Sequence, residues 1–167
     1  MIARTRRPDL AVGPGERLLA WAHGEDGSLV GGTRDALYLQ GPGEAEAQRI
    51  PWETVQAATW DRETGLLRVS EVGTWGAARP ERTLALGDPR RLLMLVRERV
   101  TATVVLQRHV PVSGRRGVHV IARRAPGGER AVTWVYEFDE GVDPDDPDVR
   151  RLAAQTLLAA REEVGLT

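Results

Sequence analysis

Cysteine is absent from the 167 residues, which removes thiolate zinc sites, redox pairs and cysteine nucleophiles together. Lysine and asparagine are absent as well, so all 23 lysine-plus-arginine positions are arginine, a bias expected of a GC-rich genome. Phenylalanine occurs once and tyrosine twice. No apolar run approaches the ~20 residues that a membrane-spanning helix requires. Residues 1–8 carry arginines with no apolar stretch behind them and do not read as a secretion signal. These absences lead to the expectation of a soluble, cytoplasmic protein with no membrane partner. The formal net charge of -1 supplies no overall basic field for nucleic acid or an anionic surface.

The chain is long enough to bury roughly 70% of its unfolded surface without a staple. Its clearest element is a helix beginning near Asp88. Asp88 suits the cap and Pro89 the first position, while Leu92, Leu93, Val96 and Val100 recur as one apolar stripe. Before it, short alternating runs separated by Gly, Pro and Asp read as seven strands, over residues 16–23, 28–32, 36–40, 48–50, 55–61, 66–72 and 82–86. Seven short strands and a helix suit a curled antiparallel sheet that the helix closes. Residues 101–106 keep the helical period yet are rich in β-branched side chains. They are read as helix to about 105, with strand as the alternative. A hairpin follows, residues 118–124 and 131–138, in which Val132, Trp134, Tyr136 and Phe138 share one face. A last helix carries Val149, Leu152, Ala153, Thr156, Leu157, Ala160 and Val164 as its stripe, and is expected to cover that face.

Two stretches carry a resemblance. Gly32-Thr33-Arg34-Asp35-Ala36-Leu37-Tyr38-Leu39 resembles the "T-x-x-R/A-L-x-L" hairpin of bacterial pleckstrin-homology-like (PH-like) domains. Ile50-Pro51-Trp52-Glu53-Thr54-Val55 is similar to their "I-P-W-E-x-I" turn. The resemblance spans about residues 16–105. It implies an α+β fold with a seven-stranded curled sheet closed by a helix, here followed by a hairpin and a C-terminal helix. The corresponding domains are a flexible arm (1–15), a PH-like domain (16–105) and an appendage (106–167). The family's members that bind phosphoinositides place basic residues at the first hairpin loop. In this chain that loop is His23-Gly24-Glu25-Asp26-Gly27, which would repel a phosphate headgroup.

The expected role is therefore a non-enzymatic module that binds a protein partner or associates with itself. Trp75, in a glycine-bounded loop, is the first candidate contact. Arg115, Arg116, Arg123 and Arg124, with Arg130, form the main basic cluster and the second candidate surface. The alternative is a small anionic ligand, or an enzyme's substrate, held by these arginines in a cleft between the two parts. Nucleic acid is not expected, because the hairpin aromatics belong to the core face and not to a stacking platform.

No catalytic motif and no cofactor site is read. Asp143, Asp145, Asp146 and Asp148 resemble a cation loop. A calcium-binding loop, however, needs a central glycine and a twelfth-position glutamate, and here the twelfth residue is Ala154. A capped helix start at Asp146-Pro147 is the simpler reading. His23, His109 and His119 are too scattered in sequence for a recognised metal or nucleophile pattern.

Overall fold

A computed structural model describes residues 6–73, 80–126 and 131–165. Among them the fold is mixed α+β, with three antiparallel sheets and two helices. Strands β1 (Ala20–His23), β2 (Leu29–Gly32), β3 (Ala36–Gln40) and β4 (Gln48–Pro51) form a meander in that order. Strands β5 (Val55–Asp61), β6 (Leu66–Glu71) and β7 (Glu81–Ala85) form a second meander. The expectation of one seven-stranded sheet is corrected here: the seven strands divide into sheets of four and three. The cause is local. Pro51 has no N–H to continue a ladder, and a single 3-10 turn over Trp52–Thr54 redirects the chain before β5.

Both sheets nevertheless share one core. Val30, Leu37, Leu39 and Ile50 of the first sheet meet Val55, Leu67, Val69 and Leu84 of the second. Trp52 lies between them, fully buried, and its indole N–H donates to the Thr33 carbonyl oxygen at 2.9 Å. Helix α1 (Arg90–Thr103) packs against β1, β2, β5 and the 3-10 turn, delivering Leu92, Leu95 and Val96 to that core. Each such side chain contributes on the order of 1.5–3 kcal/mol by its burial. The helix starts two residues later than Asp88. The Asp88 carboxylate still accepts from the Arg90 backbone N–H at 3.2 Å.

The outer face of the first sheet is covered too. Tyr38, alternating with Leu37 and Leu39, points away from the main core into a small cluster with Ala36, Leu10 and Leu18. Leu10 is therefore buried and the Gly13 N–H donates to the Tyr38 hydroxyl at 2.8 Å. From Leu10 onward the expected loose arm is a packed segment, because an apolar side chain on that face requires a cover.

The C-terminal part differs from the expected hairpin by a whole strand. Strand β8 (Val104–Ser113) continues directly from α1, pairs with β9 (Arg116–Arg124), and β9 pairs with β10 (Val132–Phe138). The helical period does not persist past Thr103, whose hydroxyl donates to the Val100 carbonyl oxygen at 2.6 Å. Four valines at 104, 105, 110 and 112 favour extended backbone, and Val104 already adopts it.

Helix α2 (Pro147–Val164) begins as expected, with Asp146 accepting from the Asp148 N–H at 2.8 Å, and ends at Gly165, whose φ of 79° is left-handed. It lies chiefly over β8 and β9. Trp134, Tyr136 and Phe138 on the outer strand are consequently half-buried, not enclosed. Among the described residues no helix is long and apolar enough to cross a membrane.

Candidate functional site

The arginines singled out in the sequence do not form one surface. Arg123 is 4% exposed and its guanidinium donates to the Val55 carbonyl oxygen at 2.8 Å. Burial pushes its pKa down, and the charge of Glu137 opposes that shift. Arg124, the next residue along the strand, points to the opposite face. Arg115 and Arg116 are exposed at the far end of β9, and eight strand residues at ~3.3 Å each place them roughly 25 Å from Arg124. The acidic loop is met by Arg150 and Arg151 of α2, at 3.0 Å to Asp145 and 2.7 Å to Asp148. Trp75 and Arg130 lie outside the described residues.

A groove of ≈ 720 Å³ runs between α1 and β5. Leu93, Met94, Arg97 and Val100 recur along one side of α1 and form one wall; Ala58 and Trp60 of β5 belong to the other. The walls are mostly apolar, with arginines Arg90 and Arg97 among the lining side chains and no carboxylate or imidazole. Met94 is 73% exposed. The Trp60 indole N–H is buried without a hydrogen-bond acceptor among the described residues. Strand β5 is an edge: it pairs with β6 on one side and with no other described strand. The sequence held a signal for this surface. Residues 92–96 are five consecutive apolar residues, and such a run wraps more of a helix than the ≳ 100° stripe a single core face takes up. Some of it had to face outward.

A second constellation lies on the third sheet. The β8–β9 register sets His109 directly opposite His119, with ring centroids 4.4 Å apart. Asp139 follows β10, where Phe138 pairs with Val118, so its carboxylate reaches the same spot. His109 Nε2 is 3.0 Å from Asp139 Oδ2 and His119 Nε2 is 3.1 Å from Oδ1. The Gly117 N–H donates to Oδ2 at 2.8 Å. That backbone bond, joined by the two imidazoles, holds the Asp139 carboxyl below the usual aspartate value. Gln107 is 3.2 Å from His119 Nδ1.

Sequence distance had separated the two histidines. The missing information was the strand β8: once it is paired, residues 109 and 119 stand symmetrically about Gly114 in the connecting turn. His23 lies on β1 and takes no part.

Comparison with protein-family models, with curated proteins and with solved structures gave no match. The functional reading therefore rests on the chemistry of these surfaces.

Proposed function

We propose that this chain is a non-enzymatic, PH-like interaction module whose α1–β5 groove docks an extended segment of a protein partner. The observation that carries the reading is an apolar groove lying beside an unpaired strand edge. An incoming strand can hydrogen-bond to such an edge while its side chains enter the adjacent groove. Met94 and Leu93 would receive an apolar side chain, and Arg90 and Arg97 favour acidic neighbours in the same peptide. The PH-like assignment draws support from seven short strands followed directly by a helix that packs on their common core. A non-enzymatic role fits a groove whose walls offer neither a carboxylate nor an imidazole for proton transfer.

The anionic-ligand alternative draws less support, because Arg123 occupies the junction it was meant to line and is already engaged by Val55. Self-association through the groove is the competing occupant.

The test is selection from a random peptide library, followed by amide hydrogen exchange with a selected peptide bound. The expected result is new protection in β5 and α1, with binding weakened at least tenfold by Met94→Glu. Protection confined to other elements would overturn the assignment. A homodimer that Met94→Glu converts to monomer would assign the groove to a second copy instead.

A further inference from the structure

We propose that His109, His119 and Asp139 bind a late first-row divalent transition-metal ion, of which zinc is the representative. Their ligand atoms all lie within 4.8 Å of one another. Around a tetrahedral zinc ion at ~2.0–2.1 Å from its ligands, neighbouring donor atoms sit about 3.4 Å apart. The separations of 3.0 Å from His109 Nε2 to Oδ2 and 3.1 Å from His119 Nε2 to Oδ1 run to the two oxygens of one carboxylate, so a small rotation of that group presents one of them, or both, to a shared ion. The two imidazoles, tilted at 33° with ring centroids 4.4 Å apart, must close by a modest side-chain rotation.

The supporting groups are already positioned. The two histidines come from paired positions on adjacent strands, so the ladder fixes the spacing of their backbones. The Gly117 N–H orients the Asp139 carboxylate through its 2.8 Å bond to Oδ2. Gln107 occupies Nδ1 of His119, which leaves Nε2 as the ligand atom. With metal bound, Nδ1 would carry the proton and donate to the Gln107 amide oxygen. A half-turn of that amide exchanges donor for acceptor without moving the ring.

The donor set also selects the ion. Two imidazoles and one carboxylate suit zinc, cobalt, nickel or copper, whereas calcium and magnesium require oxygen ligands. The three side chains are 24–35% exposed, so an ion held here would keep at least one open position for water or for a donor from outside.

The experiment is calorimetric titration of the full, tag-free chain with zinc chloride, alongside the visible spectrum with cobalt(II). One ion per chain is expected, with a cobalt spectrum of tetrahedral or five-coordinate type. His119→Gln and His109→Gln should each weaken binding at least tenfold, and Gln107→Ala by roughly tenfold or more, while His23→Gln leaves it unchanged. Circular dichroism of each variant reports whether the sheet is intact. His109→Gln preserves the Gly117–Asp139 bond, and so separates lost ligation from lost folding. No heat and no cobalt spectrum at millimolar ion would overturn the proposal, as would His119→Gln and His109→Gln variants that fold and bind as tightly as the parent. The three residues would then be only a hydrogen-bonded staple between β8, β9 and the chain after β10.

Discussion

The guanidinium of Arg123 donates a 2.8 Å hydrogen bond to the carbonyl oxygen of Val55, joining β9 to β5 across 68 positions of sequence. The C-terminal sheet is thereby fastened to the first core by a buried cation. Its Nε has no hydrogen-bond partner among the described residues, so the desolvation of the charge is only partly offset. Arg123→Ala removes the bond and the packed stem, and is expected to cost about 2–4 kcal/mol. Arg123→Met keeps most of the stem and removes the buried charge, so its loss should be smaller. Urea midpoints measure the order; a methionine variant less stable than the alanine one would refute this account.

Glu16 ties the segment before β1 to the outer face of the first sheet. It accepts from the Thr33 hydroxyl at 2.6 Å, from Arg49 Nε at 3.0 Å and from the Tyr38 hydroxyl. Burial by itself would raise its pKa, but the bonds from Thr33, Tyr38 and Arg49 outweigh burial and hold it below 4.5. A carboxyl lowered in the folded state adds stability that is present above the unfolded value and lost as pH falls through the folded one. Glu16→Gln is thus expected to cost about 1–3 kcal/mol at pH 7. The gap between parent and variant should narrow as pH drops below 4.5. Equal gaps at pH 7 and pH 3 would show that the ionised carboxylate is not the stabilising species.

Gly117 is required by close approach. A Cβ at this position would meet the Val110 carbonyl oxygen at 1.9 Å, and a backbone oxygen in a paired strand has little room to retreat. Gly117→Ala is expected to cost about 1–3 kcal/mol or more, a fall of several degrees in Tm at ~2–4 °C per kcal/mol. Thermal unfolding followed by circular dichroism measures it, and an unchanged Tm would contradict the clash.

Met94 gives the contrasting case. At 73% exposure it adds little to the core, so Met94→Glu should alter stability by less than about 0.5 kcal/mol. The same change places a charge in the apolar groove and is expected to weaken peptide binding at least tenfold. A variant that binds selected peptides as well as the parent would move the docking surface elsewhere.

Much of the fold was legible in local pattern. Strands β3 and β5 begin and end where alternation and turn residues place them. Helix α2 starts at the Asp146-Pro147 signal and stops at Gly165. These features depend on residues a few positions apart, through propensity, capping and side-chain alternation. Strand β8 was obscured because residues 101–106 satisfy a helical period and a β-branched preference at once. Packing arbitrates between two such patterns, and here β9 offers a ladder for the extended form.

The surfaces bearing on function belong to longer range. Neither the division of seven strands into sheets of four and three, nor the pairing of His109 with His119, nor the engagement of Arg123 by Val55 follows from near neighbours. Each is fixed by which edges meet when apolar faces are buried together, a choice made over tens of residues. Local chemistry specified the strands and helices of this chain; their burial against one another selected which side chains became neighbours.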